Sequence, residues 1–215
     1  MQIQPFGEQA LLINFEQSIS SDINDKVLQL ADAIEAQSFP AIAYLIPAYC
    51  SMAVGFQPQI ATYAQMQQAI AAVWEQLSPQ PRSSKRRIEI PVSYQAAHAL
   101  DRKRVMAATG LAWPEIVRLH SATTYRVYMM GFLPGFPYLG KLPSQLEVPR
   151  LPTPRKRVPP LSVGLAGLQT GIYPFEAPGG WLIIGQAQRP IFEPQLEHPF
   201  LLSPGDEVTF KPIDY

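Results

Sequence analysis

The stretch RIEIPVSY, residues 87–94, reads as a β-strand, and the sheet it joins decides how the chain divides. Ahead of it, ALLINF (10–15) reads as a strand. SDINDKVLQLADAIEA (21–36) reads as a helix, with Ile23, Val27, Leu30 and Ile34 at four-three-four spacing and Ser20 or Ser21 available to cap it. AIAYLIP (41–47) and CSMAVGF (50–56) follow as two strands around a tight turn, and QIATYAQMQQAIAAVWEQL (59–77) as a helix burying Ile60, Tyr63, Ile70, Val73 and Leu77. With 87–94 as the last strand of this series the order is βαββαβ, the ferredoxin-like split arrangement of an α+β domain. The expected domains are therefore 1–94 and 95–215, with SPQPRSSKRR (78–87) composed as a connection.

Beyond the strand, Asp101 is placed to cap a short helix ended by Gly110, and Pro114 opens another, PEIVRLHSA, that carries His120. From residue 122 the texture changes. Fifteen of the 23 prolines lie after residue 130, between short β-prone runs such as TYRVYMM, SVGLAGL, GWLIIGQ and DEVTFKP, which predicts a mainly-β closed barrel or sandwich.

Composition narrows the function classes. The chain has 215 residues, 47% of them hydrophobic, as an ordinary globular protein does. The N-terminus lacks the features of a signal peptide and no run approaches a membrane span, so a cytoplasmic protein without membrane contact is expected. Cys50, the single cysteine, reads as a buried structural thiol, and the three histidines lack metal-ligand spacing, so no metal site built by this chain alone is expected. The net charge is zero, yet residues 82–157 hold 14 of the 17 Lys and Arg. That asymmetry favours an anionic ligand or an acidic partner surface near the middle of the chain. Nucleic acid is disfavoured, because the aromatics interleave with Pro and Gly rather than with Lys and Arg. Phosphate-loop, HExxH, GxSxG and dinucleotide motifs are absent.

Three stretches could carry chemistry. GFLPGFPYLG (131–140) reads as a loop of fixed, non-regular shape, since Pro134 and Pro137 remove donors while Gly131, Gly135 and Gly140 permit dihedrals that Phe132 or Tyr138 would resist. His120, at the end of its helix, falls beside that loop and is a candidate proton-transfer or anion-binding group. Arg150 and Arg155 in PRLPTPR each follow a proline, which pre-places a guanidinium for carboxylate or phosphate. In LQTGIYPFEAPGGWLIIG (168–185), Gln169, Tyr173, Gly179, Gly180 and Trp181 are candidate pocket residues. Each of these stretches also admits a purely structural reading.

Together GFLPGFPYLGKL, PRLPTPRKRVP and LQTGIYPFEAPGGWLIIG, preceded by His120 and Tyr125, resemble the B subunit of bacterial 5-oxoprolinase. That family is also known as allophanate hydrolase subunit 1 or the KipI-like kinase inhibitors. The resemblance spans most of the chain, from PFGEQALLINF to LLSPGDEVTF. It implies a small N-terminal α/β domain and a C-terminal cyclophilin-like β-barrel. It also implies a non-autonomous component that acts with the C and A subunits to open 5-oxoproline to glutamate, using ATP with Mg2+ in the assembled complex. By resemblance His120, Arg150 and Arg155 would be catalytic, and Gly131, Phe132, Pro134, Gly135, Phe136, Gln169, Tyr173, Gly179, Gly180 and Trp181 would bind substrate. Two other functions stay open: a regulatory module docking on a histidine kinase, and a component of allophanate or urea metabolism. The chain departs from the family pattern at YQAAHALD (94–101), where glycines are lost, at VPPLSV (158–163), and at Gln186-Ala187-Gln188.

Overall fold

The computed structural model describes residues 1–78 and 86–215, so most of the connection expected over 78–87 lies outside the described residues. The chain divides into two compact units, Met1–Ser83 and Ser84–Tyr215.

The first unit runs β1 (Gln2–Pro5), β2 (Ala10–Asn14), α1 (Ser21–Gln37), β3 (Ile42–Pro47), β4 (Ser51–Phe56) and α2 (Tyr63–Gln76). Its antiparallel sheet has the order β1-β2-β4-β3. The inward residues Leu11, Ile13, Met52 and Val54 meet Val27, Leu30, Ile34, Ile70 and Val73 from the two helices, so both helical periodicities point at one core. Helix α2 starts later than the sequence predicts. Thr62 accepts from the Gln65 amide while Gln65 reaches back to the Thr62 amide, a capping box that fixes the start at Tyr63 and leaves Ile60 exposed rather than buried. Cys50 is free and half-buried, and burial pushes its thiol pKa up.

The second unit contains β5 (Arg87–Ser93), α3 (Arg102–Thr109), α4 (Trp113–Ser121), β6 (Thr124–Met130), β7 (Pro137–Gly140), β8 (Arg155–Val158), β9 (Ser162–Ala166), β10 (Gln169–Ile172), β11 (Ala177–Gly179), β12 (Leu182–Ala187) and β13 (Glu207–Asp214). Seven strands close a barrel in the order β10-β7-β6-β13-β5-β12-β9, which fits the closed β-barrel that the sequence predicts. No helix among the described residues is long and apolar enough to cross a membrane.

Strand β5 corrects the sequence reading. It does not complete the N-terminal sheet; it pairs in parallel with β13 along its length and antiparallel with β12, and the units divide at 83/84 rather than after residue 94. The physical reason lies at two edges. Pro5 to Gln2 pair residue by residue with Leu11 to Asn14, so the edge of β2 that a fourth strand would fill is occupied by β1. Ile90 and Val92 meanwhile bury completely in the barrel with Val127, Leu165, Ile184 and Val208, and Glu207 opposite Arg87 adds an ion pair at 2.9 Å.

Candidate functional site

The decapeptide 131–140 is half loop and half strand. Gly131 N–H donates to Phe136 O at 3.1 Å and Phe136 N–H to Leu133 O at 3.0 Å, closing a tight turn, after which Pro137–Gly140 runs as β7 between β6 and β10. Gly135 has φ +81° and its backbone lies against Phe192, where a Cβ would come 2.5 Å from that side chain, so this turn requires glycine. Phe132 also has positive φ, at 68°, an uncommon conformation for a bulky residue, and holds its ring 58% exposed.

Around this turn the aromatics gather. Phe136 is buried at the centre, with ring centroids 5.0 Å from Tyr138, 5.1 Å from Tyr173, 5.4 Å from Trp181 and 5.6 Å from Phe132, all near edge-to-face. They line a pocket of about 270 Å3 together with Arg150, Pro154, Pro178, Gly179 and Gly180. Arg150, the one charged side chain of the lining among the described residues, holds its guanidinium carbon 5.9 Å from the Trp181 ring centroid. Burial raises the pKa of Tyr173 and Tyr138 above the usual phenol value, with Arg150 opposing the shift, so both hydroxyls are protonated near neutral pH. Gly179 lets the Tyr173 hydroxyl seat under β11, because a Cβ there would overlap that hydroxyl and come 2.8 Å from the ring. Gly179→Ala is expected to cost about 1–3 kcal/mol by overpacking, read as a lower urea midpoint; a midpoint equal to wild type would show that Tyr173 can shift freely.

Of the residues that the sequence singles out, the structure brings Phe132, Phe136, Arg150, Tyr173, Gly179, Gly180 and Trp181 into this pocket. Gly131, Pro134 and Gly135 shape the turn without lining it, and Gln169 pairs in the barrel wall with Gly140 and Ala166. Tyr138 is an addition: read as part of a loop, it sits on a strand, half-buried with its ring toward Trp181.

His120 stands elsewhere. It is fully buried in the barrel core, stacked 4.6 Å from Phe210, and is not part of the pocket lining. Both ring nitrogens are engaged, Nδ1 with Tyr94 Oη at 2.8 Å and Nε2 with Thr170 Oγ1 at 3.0 Å. Thr170 donates its own proton to Gly164 O at 3.0 Å, so its oxygen accepts from Nε2–H and Nδ1 accepts from Tyr94 O–H. The result is a neutral imidazole in one tautomer. Burial lowers its pKa to about 3 and raises that of Tyr94 well above the ordinary value, which suits a core connector rather than the proton-transfer or anion-binding group that the sequence suggests. Tyr125 completes the connector by donating to His120 O at 2.9 Å.

Arg155 is likewise tied inside the fold. Its Nη2 lies 2.6 Å from Asp101 Oδ1, while Asp101 Oδ2 accepts from the Ile183 amide at 2.7 Å. Asp101 therefore occupies the N-cap position of α3 without capping it, and joins α3 to β12 and β8 instead.

The comparisons with known proteins agree with this architecture. Residues 1–202 match the family model described as carboxyltransferase domain, subdomain C and D. The B subunit of 5-oxoprolinase from Bacillus subtilis (strain 168) is 36% identical over 220 residues, covering 97% of this chain and 91% of that protein. The crystal structure of TTHA0988 superposes with a TM-score of 0.86 at 34% identity over 96% of this chain, which spans 40% of that longer chain. At 16% identity, the Kluyveromyces lactis urea amidolyase shares the fold over 99% of this chain and 15% of its own, with a TM-score of 0.79. With all but the last 13 residues matched, the chain belongs to the family of the carboxyltransferase domain, subdomain C and D.

Proposed function

We propose that the chain is the B-type component of a cytoplasmic, ATP-dependent 5-oxoprolinase complex acting with the C and A subunits. The observation that supports this reading best is the aromatic pocket of about 270 Å3 with Arg150 as its one charged residue among the described residues. Such a site suits a small, flat ring bearing one carboxylate, because aromatic edges and faces hold the ring while a guanidinium takes the carboxylate. 5-Oxoproline is a five-membered lactam with one carboxylate.

The same lining accounts for dependence on partners. An amide carbonyl is a poor electrophile, and opening it needs an activating group and a base for water. The pocket offers neither: Tyr138 and Tyr173 stay protonated, and no carboxylate or histidine lines it. One guanidinium without a carboxylate is also a poor fit for a magnesium-bound triphosphate, so ATP is assigned to a surface that a partner supplies. Arg150 and the aromatic wall orient the ring, and the partner completes the site.

The test is 5-oxoproline-dependent ADP release by this chain assembled with the C and A subunits. Arg150→Ala should raise KM for 5-oxoproline by about tenfold or more, the loss of one charge-assisted contact, with Arg150→Lys between it and wild type. A complete assembly that releases no ADP on addition of 5-oxoproline would sink the reading and favour a regulatory member.

A further inference from the structure

Apart from the aromatic pocket, α3 and the proline-punctuated segment 151–155 wall a groove of about 390 Å3 lined by Arg104, Leu151, Pro152, Thr153 and Arg155. An adjoining hollow shares Arg104, Leu151 and Pro152 with it, and adds the apolar surface of Ala107, Ala108, Pro149 and Leu182 together with Arg150, which also lines the aromatic pocket.

Two guanidiniums converge here on one carboxylate oxygen. Arg155 Nη2 lies 2.6 Å from Asp101 Oδ1, and Arg104 Nε lies 3.8 Å from the same atom. The other oxygen of Asp101 accepts from the Ile183 amide, so one buried negative charge faces two positive ones. No further carboxylate lines either hollow. Arg155 Nη1 is buried and has no acceptor among the described residues. An ionised donor in that state is disfavoured unless an acceptor reaches it.

The chemistry of the available donors selects the acceptor. They are Arg155 Nη1, the Arg104 guanidinium, whose contact to Asp101 is long, and the Thr153 hydroxyl. A carboxylate would repeat what Asp101 already does. A group with three acceptor oxygens and more than one negative charge matches the donor set and the surplus positive charge. We propose that this groove is a phosphate-binding site, formed by Arg104, Thr153 and Arg155, with the aliphatic surface beside it open to the remainder of an organic phosphate. The site requires neither the aromatic pocket nor the oxoprolinase reading.

The isolated full chain is titrated with inorganic phosphate and, in parallel, with AMP and with glutamate, each followed by calorimetry. Saturable binding is expected, and Arg104→Ala, at an exposed position, should weaken it about tenfold or more, the worth of one charge-assisted contact. Arg118→Ala, which removes a guanidinium paired with Glu115 on α4, should leave it unchanged. Tighter binding of AMP than of phosphate assigns the site to an organic phosphate, and the reverse to the free ion. Absence of saturable binding by wild type, equal weakening by both variants, or tighter binding of glutamate than of either phosphate would overturn the proposal.

Discussion

Asp101→Ala is expected to cost the C-terminal unit about 3 kcal/mol of stability, and up to about 5. Asp101 is fully buried and joins three elements at once: Oδ1 holds Arg155 at the start of β8, Oδ2 accepts from Ile183 in β12, and its own amide donates to Ile183 O at 2.9 Å. Removing the carboxylate leaves the Ile183 amide without its acceptor and strands the Arg155 guanidinium at the start of β8, which pairs with β11 outside the barrel. The Arg155 side chain is 25% exposed, so water relieves part of that charge and the lower figure applies. Urea unfolding followed by tryptophan fluorescence reads the change, since Trp113 and Trp181 both lie in this unit. The midpoint should fall with little change in slope. Adding Arg155→Met should recover much of the loss, because the stranded charge, rather than a missing contact, dominates the penalty. A single variant within about 1 kcal/mol of wild type would show that the pair is no more than a surface ion pair in its energetics.

How far the sequence foretold this molecule depends on whether its signals were local. Helix α1 was legible because Ile23, Val27, Leu30 and Ile34 repeat at helical spacing, and all four are buried where the pattern puts them. The ends of α3 and α4 were legible from Gly110, which adopts the left-handed conformation, and Pro114 near the start of α4. The membership of β5 was not legible. RIEIPVSY has one pattern whichever sheet it joins, and its parallel partner β13 begins 120 residues away, at Glu207. A short strand at the extreme N-terminus, QIQP, took the edge that β5 was expected to fill, and nothing within four mostly exposed residues announces a strand. The pocket was half legible for the same reason: Gly, Pro and aromatic density marks a shaped segment, so Phe136, Tyr173 and Trp181 could be read from it. That Tyr138 turns into the pocket follows only from the alternation of β7. That His120 and Arg155 lie outside the pocket lining was not legible, because residue type and helix position say nothing about depth. One is enclosed by Tyr94, Thr170, Tyr125 and Phe210, and the other is claimed by a carboxylate 54 positions earlier.

Between pH 6.5 and 4.5 the wild-type unit should lose about 2–3 kcal/mol of stability that a His120→Gln variant does not lose. In the folded chain burial holds the imidazole pKa near 3, whereas an exposed histidine in the unfolded chain titrates near 6.5. Above 6.5 both states are neutral and the contribution is fully present. As the pH falls below 6.5, the unfolded chain binds a proton that the folded chain refuses, so unfolding gains free energy at about 1.4 kcal/mol per pH unit. The drain continues until the folded-state value is reached, below which both states are charged and the slope vanishes. Stopping at pH 4.5 keeps most carboxylates ionised and isolates the imidazole. Glutamine can keep the polar chain satisfied, its carbonyl accepting from Tyr94 and its amide donating to Thr170, while it carries no titrating proton. The variant is therefore no measure of the connector's strength; it removes the pH slope while retaining hydrogen-bonding capacity. The difference between the two stability curves is the readout. Parallel curves, or a His120 ring resonance that titrates near 6.5 in the folded protein, would show that solvent reaches the imidazole, and would return it to the set of groups available for proton transfer.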